Sequence, residues 1–132
     1  MIPLTLTRRY RLPALHALEN RNLSEEANRA TFGSCFRLHG HDYQIEVTVS
    51  ATPDPVSGLI IQRDKLDGIV ERELIEPMRG HNLNDFFPQT TGEALVIKFF
   101  ERLEPHLAPA CTLVRLGIRE TARNLFEMTR CD

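Results

Sequence analysis

Apolar and polar residues alternate in two stretches of the N-terminal half of the chain, a period typical of β-strands. Over residues 4–16, one parity is apolar and is interrupted only by Arg8: Leu4, Leu6, Tyr10, Leu12 and Ala14. Residues 39–50 alternate more strongly, with Tyr43, Ile45, Val47 and Val49 on one face. A turn rich in Pro, Asp and Gly follows at 51–58. The two strands are therefore predicted to pair antiparallel.

The period then changes to that of a helix. Over 63–77 the apolar residues follow helical spacing: Leu66, Ile69, Val70 and Leu74. A second helix is predicted over 91–104, starting at the capping-box pattern Thr90-x-x-Glu93 and ending before Pro105. The polar segment 19–34 reads as turns with one short helix, for which Ser24 is the expected cap.

Alternation returns near the C-terminus and completes the predicted fold. Residues 112–119 place Val114, Leu116 and Ile118 on one face, and residues 124–130 form a final short strand. The predicted order is β-β-α-α-β-β, an α+β fold. The sequence contains no internal repeat or linker, so residues 1–132 are expected to form one domain.

Composition restricts the classes of function. The chain has 132 residues, 42% hydrophobic and 26% charged, with a net charge of −2, which provides no broad attraction to nucleic acid or anionic membrane. The opening residues do not resemble a signal peptide, and no apolar run has the roughly 20 residues that a membrane helix needs. Its three cysteines form no CxxC pair, so a cytoplasmic protein with free thiols is expected.

Two histidines at the start of the second strand indicate a metal site. His39 and His41 are two residues apart, so their side chains project from the same face of a strand. Gly40 between them is expected to let the backbone bend. His16, at the end of the neighbouring strand, is the natural third ligand, and three imidazoles with one open position are typical of catalytic zinc. The alternative is that each histidine is an ordinary core or surface residue.

Two further residues are candidates for chemistry near this site. Cys35 precedes His39 by four residues, and a thiol near zinc can act as a base or nucleophile; the alternative is a small buried residue. That alternative is expected for Cys111 and Cys131. Glu120 continues the apolar face of its strand, where a carboxylate needs a donor partner. Its alternative is an exposed strand end paired with Arg119 or Arg123.

These residues resemble the 6-pyruvoyl-tetrahydropterin synthase / 6-carboxy-tetrahydropterin synthase family over nearly the whole chain. The specific motif is Cys-x3-His-Gly-His at 35–41, with an upstream His at 16 and Glu-Thr at 120–121. Further matching segments lie at 14–18, 23–29, 58–61, 82–84 and 91–93.

The resemblance implies the tunnelling fold (T-fold) and a homohexamer built from two trimers. It also implies that His16, His39 and His41 bind Zn²⁺, that Cys35 is the general base, and that Glu120 anchors the pterin. The implied substrate is 7,8-dihydroneopterin triphosphate, from which triphosphate is eliminated. The carboxy-forming branch, which serves queuosine biosynthesis, also releases acetaldehyde.

The motifs point to both branches and depart from the family in two places. The Cys35-x3-His39 spacing resembles the carboxy-forming branch, which we take as the leading expectation, whereas residues 23–35 resemble the pyruvoyl-forming branch. The family's usual Asp-His pair is replaced by Arg79-Gly80, so we expect His81 to assist proton transfer; the alternative is a diverged pterin-binding homologue without this relay. Where the family often has Asp-Phe, this chain has Gln62-Arg63. Arg63 is expected to be either an exposed residue at a helix start or a contact for phosphate.

Overall fold

One antiparallel sheet carries the site. The computed structural model describes residues 4–131, and the predicted domain's residues 1–3 and 132 lie outside this range. Four strands follow each other in space as they do in sequence: β1 (Thr5–His16), β2 (His39–Ser50), β3 (Thr112–Thr121) and β4 (Asn124–Thr129). All neighbouring pairs are antiparallel, which confirms the predicted pairing of the first two strands.

The helices occupy the segments between the strands. The first is α1 (Glu25–Phe32), whose N-terminus is capped as predicted by the Ser24 hydroxyl, and a 3₁₀ turn (Gly33–Phe36) follows it. The second begins as α2 (Arg63–Val70), continues through a π-helical turn (Glu71–Ile75) and ends as α3 (Glu76–Met78). After a 3₁₀ turn (Leu83–Asp85) comes the longest helix, α4 (Gly92–Leu107).

The core lies between the sheet and α2–α4. The apolar parity of each strand faces these helices, and its central members are fully buried: Leu12, Tyr43, Ile45, Val47, Leu116 and Ile118. The helices supply the other half of the core, including Leu66, Leu74, Leu95, Phe99 and Leu103. Burial of each such side chain contributes about 1.5–3 kcal/mol to the stability of the fold. The positions that the strand period and the helix period mark as apolar are therefore the ones that form the core.

Two predictions about α4 are wrong. The helix does not end before Pro105 but continues to Leu107, because Leu103 and Leu107 are buried and their packing offsets the hydrogen bond that proline removes. The N-cap is Thr91, whose hydroxyl accepts from the Ala94 amide, and not Thr90. Thr90 is instead buried in the interior, where its polar groups bind other partners.

Gly92, the first residue of α4, is predicted to tolerate no side chain. A Cβ atom there would overlap the ring of Phe126 in β4. We expect Gly92→Ala to lower the free energy of unfolding by about 1–3 kcal/mol, the usual cost of overpacking. Gly68 in α2 is the matched control, because it is exposed and a Cβ added there would have no neighbouring atom within 4 Å. Gly68→Ala should stabilise the protein by about 0.5–1 kcal/mol, and denaturant unfolding of both variants checks the contrast.

An ion pair between Asp67 in α2 and Arg8 in β1 connects the helix to the sheet, and it should make the free energy of unfolding depend on pH. Asp67 accepts hydrogen bonds from Arg8 (2.9 and 2.7 Å) and from the Tyr10 hydroxyl (2.7 Å). The hydrogen bonds from Arg8, assisted by the one from Tyr10, hold the pKa of Asp67 below its usual value. The ionised carboxylate therefore stabilises the fold above its unfolded-state pKa, and this stabilisation is lost as the pH falls.

We expect Asp67→Asn to lower the melting temperature by a few degrees at neutral pH. The difference from wild type should shrink as the pH falls below about 4, where the wild-type carboxyl also becomes protonated. Thermal melts of both proteins across this pH range check the prediction. A difference that stays constant with pH would contradict it.

The cysteines are placed differently from one another. Cys111 is buried, as predicted, with its thiol facing the Leu107 carbonyl, whereas Cys131 is exposed, so the buried placement predicted for it is wrong. Cys131 follows the end of β4. Among the described residues, no helix combines the length and the apolar character that crossing a membrane requires.

Candidate metal centre

Strand register brings the three predicted histidines together. His16, the last residue of β1, lies directly opposite His39, the first residue of β2, and His41 lies opposite Ala14. The ring centroids are 4.5 Å (His16–His39), 5.1 Å (His16–His41) and 4.9 Å (His39–His41) apart. One nitrogen from each ring lies within 4.8 Å of the others. The strand parity thus places three imidazole nitrogens around one point.

Backbone carbonyls orient two of these rings. Nδ1 of His16 lies 2.8 Å from the Thr90 carbonyl oxygen, and Nδ1 of His39 lies 2.7 Å from the Arg37 carbonyl oxygen. A carbonyl only accepts, so each Nδ1 carries the proton and donates it. The Nε2 lone pair of each ring is then free to bind a metal, an arrangement that metal-ligating histidines share.

Burial keeps two of the three histidines, His16 and His41, in the form that binds metals. Loss of hydration lowers the pKa of His16 to about 4, against the raising effect of the Thr90 carbonyl and with help from the other two imidazoles. Burial also lowers the pKa of His41, partly opposed by the nearby Glu120 carboxylate. Both imidazoles are therefore neutral at neutral pH, and their lone pairs are available.

One buried nitrogen atom without a hydrogen-bond partner is better explained as a metal ligand than as part of the core. Nε2 of His16 is buried without a hydrogen-bond partner, in a residue that is only 1% exposed. An unpaired buried nitrogen costs free energy, and a metal ion held by all three histidines would remove that cost. Three neutral imidazoles are a donor set that zinc accepts, and they leave one coordination position for another ligand.

Tyr43 and Gly40 complete the immediate surroundings of the histidines. The ring of Tyr43 lies 5.8 Å from that of His16 and 5.4 Å from that of His41, and its buried hydroxyl has no partner. The shared parity of residues 39, 41 and 43 was the signal that could have marked Tyr43 as part of the site.

The bend predicted at Gly40 is wrong, since strand pairing continues unbroken there. A Cβ atom added at Gly40 would approach the Leu15 side chain to 3.2 Å.

Cys35 lies in a turn bonded to the residues just after β1, and Glu120 lies in β3 beside His41. Cys35 lies exposed in the 3₁₀ turn, so the alternative of a small buried residue is wrong for it. Its carbonyl accepts from the Leu18 amide at 2.8 Å, which ties this turn to the end of β1. Glu120 lies in β3 with Oε1 4.0 Å from Nε2 of His41, and only 16% of its side chain is exposed. Glu120 thus faces the histidines, as its parity predicted.

The loop after α3 contributes no residue to the group of three histidines that the described structure shows. Arg79 pairs with Glu71 (3.3 Å) and Glu76 (3.4 Å) along the helix. Gly80 has a φ of +74°, a conformation that suits glycine, and its amide donates to the Pro13 carbonyl. His81 is exposed; its imidazole lies near Phe86, and it is not among the three histidines that the described structure groups around one point.

Arg63 is exposed at the first residue of α2, which agrees with the helix start predicted for it. The structure leaves its suggested contact with phosphate as a prediction.

The architecture and the histidine site define the class of protein. The sheet order and the helices between the strand pairs are those of a T-fold protein. Residues 5–131 match the model of the family described as 6-pyruvoyl tetrahydropterin synthase, so the chain belongs to that family.

Relatives cover most of the chain. A 6-pyruvoyl tetrahydrobiopterin synthase of Poecilia reticulata is 31% identical over 127 residues, covering 91% of this chain and 86% of that protein. A putative 6-pyruvoyl tetrahydrobiopterin synthase of Caenorhabditis elegans is 33% identical over 126 residues, covering 89% of each. The solved 6-pyruvoyl tetrahydropterin synthase of Caenorhabditis elegans superposes with a TM-score of 0.89 at 30% identity, covering 99% of this chain and 98% of that one.

These names bear on the choice between the two branches. All three of these proteins are named for the pyruvoyl-forming reaction, which the sequence offered as the alternative, and not for the carboxy-forming reaction that the Cys35-x3-His39 spacing made the leading expectation. A one-segment spacing is a weaker guide than similarity along the whole chain, because loops before a strand vary in length without changing the site.

Proposed function

We propose that this chain is a zinc-dependent lyase that eliminates triphosphate from 7,8-dihydroneopterin triphosphate and forms 6-pyruvoyl tetrahydropterin. The observation that carries the proposal is the convergence of His16, His39 and His41, two of them with Nε2 freed by a backbone carbonyl, in a chain of this family. Zinc held there would supply Lewis-acid polarisation of the substrate's side-chain oxygens.

The remaining roles belong to side chains around the histidines. Cys35, exposed on the turn that abuts the end of β1, would take a proton from a side-chain carbon as a thiolate base. The bond from the neighbouring carbon to the triphosphate oxygen then breaks, and triphosphate leaves. Glu120, turned toward His41 and largely buried, would accept hydrogen bonds from the N–H groups of the pterin's amino-pyrimidine edge.

The loop offers His81 for proton transfer. Arg79 is held along the helix by two carboxylates and Gly80 has no side chain, so within residues 79–81 only His81 has a side chain of the type that serves as a general acid or base. The proposal therefore assigns the relay to His81. Rates unchanged in His81→Ala would remove it from the mechanism without affecting the zinc assignment.

The same site supports a second candidate reaction. The Cys35-x3-His39 spacing favours the carboxy-forming branch, in which acetaldehyde is released together with triphosphate and 6-carboxy tetrahydropterin is formed. The 3₁₀ turn with Cys35 is followed by only two residues before β2 begins, so this spacing is built into a short, defined connection.

One incubation separates the possibilities. Zinc-loaded protein is mixed with 7,8-dihydroneopterin triphosphate, and triphosphate is followed by phosphorus NMR while acetaldehyde is measured by a coupled dehydrogenase. Triphosphate without acetaldehyde is the expected result, and stoichiometric acetaldehyde would favour the carboxy-forming reaction. Tight pterin binding with no release of triphosphate would contradict both lyase activities and indicate a pterin-binding homologue.

We also propose that the chain forms a homohexamer of two trimers. In the described part of the chain, β1 and β4 are the edge strands of the sheet, and edge strands present backbone groups that another copy can pair with. Light scattering should then give six times the chain mass of 15.1 kDa. A monomer at all protein concentrations would rule the assembly out.

A further inference from the structure

A buried asparagine pairs with the backbone directly after β1, the strand that ends at His16. Asn84, in the 3₁₀ turn after the loop, is 7% exposed. Its Oδ1 accepts from the Ala17 amide at 2.8 Å, and its Nδ2 donates to the Ala17 carbonyl at 2.9 Å. Ala17 directly follows His16, so this side-chain amide pairs with the backbone as a neighbouring strand residue would. The exit of β1 is thereby fixed in place just beyond the histidine.

Thr90 links this asparagine to the imidazole itself. Its hydroxyl lies 3.2 Å from the Ala17 carbonyl oxygen and 3.3 Å from Oδ1 of Asn84, where its single proton serves either acceptor. Its own carbonyl accepts the Nδ1 proton of His16 at 2.8 Å. Thr90 and His16 are each 1% exposed, so water does not replace these partners. The contacts form a closed ring from Asn84 through Thr90 to His16 and back through Ala17.

We propose that Asn84 is a positioning residue for metal binding, which acts by holding Ala17 and Thr90 so that the Thr90 carbonyl keeps His16 in the tautomer with a free Nε2 lone pair. The inference rests on the metal-binding part of the proposed function. Without the amide of Asn84, the backbone of Ala17 loses two buried partners and the Thr90 hydroxyl loses one. The Thr90 carbonyl then shifts, and the His16 ring follows it.

The chain contains a matched control for this side chain. Asn28 is also buried, at 5% exposure, and it pairs in the same way with the amide (2.7 Å) and the carbonyl (3.1 Å) of Asn20. Both asparagines therefore stabilise a loop by the same type of contact. Only Asn84 is connected to a residue whose carbonyl holds a histidine of the metal site.

The test compares zinc affinity in Asn84→Ala and Asn28→Ala, measured by competition with a chromophoric chelator. Asn84→Ala should weaken zinc binding by about 10- to 100-fold, the usual effect of losing a partner that orients a ligand. Asn28→Ala should lower the melting temperature and leave the zinc affinity as it is in wild type. Equal weakening in both variants, or wild-type affinity in Asn84→Ala, would overturn the proposal.

A second pair of variants keeps the test decisive if Asn84→Ala does not fold. Thr90→Val keeps the shape and removes the hydroxyl, whereas Thr90→Ser keeps the hydroxyl. Zinc binding should weaken in Thr90→Val and be restored in Thr90→Ser. The same affinity in both variants would overturn the proposal, because it would mean that the hydroxyl does not hold the Thr90 backbone in place.

The tautomer of His16 gives a readout that needs neither metal nor substrate. Long-range proton–nitrogen NMR of the metal-free protein should show His16 protonated at Nδ1 in wild type and in Asn28→Ala. In Asn84→Ala a population protonated at Nε2 should appear, and an unchanged tautomer would contradict the inference. Because no turnover is measured, a failure of the proposed lyase reaction leaves this result independent.

Discussion

Replacing His39 with alanine is expected to weaken zinc binding more than roughly 100-fold. Loss of a residue that only orients a ligand can already cost about that much, and His39 would be a ligand itself. His39 is one of only three imidazoles around the site in the described structure, and two imidazoles leave zinc with half of its tetrahedral set. The fold should survive the change, because the ring is only partly buried at the first residue of β2 and contributes little to the core.

Equilibrium competition for zinc and metal analysis of the purified proteins measure this effect. His106→Ala is the control, since His106 pairs with Glu73 at 3.2 Å near the end of α4 and takes no part in the site. It should bind zinc as the wild type does. Full zinc content and affinity in His39→Ala would show that the three histidines do not form the metal site.

Cys35→Ala is expected to reduce the turnover number by about 10²- to 10⁴-fold, the usual contribution of a general base, with zinc still bound. The thiol is exposed on the turn that contacts the end of β1, and it lies outside the group of histidine nitrogens. Removal of its sulfur should therefore affect proton abstraction and not metal binding. Steady-state rates and zinc content are to be measured on the same samples.

Cys131→Ala serves as the control for this variant, because Cys131 is also exposed but follows β4. Its turnover should equal that of wild type. Loss of zinc from Cys35→Ala would make Cys35 a ligand and contradict its assignment as the base. An unchanged rate in Cys35→Ala would remove Cys35 from the chemistry.

The parts of the structure predictable from sequence are those fixed by local period. Alternation over 4–16 and 39–50 determined which side chains share a face, and antiparallel pairing of the two strands then brought His16 opposite His39. Parity put Glu120 on the same face as Ile118, and its carboxylate does face His41, but parity alone favoured an exposed strand end, and its place at the site came from the family resemblance. A period of two is set by backbone geometry, and it survives whatever the rest of the fold does.

The features that sequence missed depend on contacts between distant segments. Pro105 and Thr90 were read as helix boundaries by local rules, but the packing of Leu107 and the partners of Thr90 in the core decided otherwise. Asn84 gave no local sign that its amide would pair with Ala17, which lies 67 positions earlier. Such side chains are identified only when the fold shows which backbone groups need partners.

We propose that one zinc ion on His16, His39 and His41 makes this chain a pterin triphosphate lyase. Titrating zinc into the metal-free protein, while triphosphate release from 7,8-dihydroneopterin triphosphate is measured, tests it most directly. We predict that the rate rises in proportion to added zinc and reaches a plateau at one zinc per chain. A full rate before any zinc is added, or no release once the site is saturated, would contradict the claim.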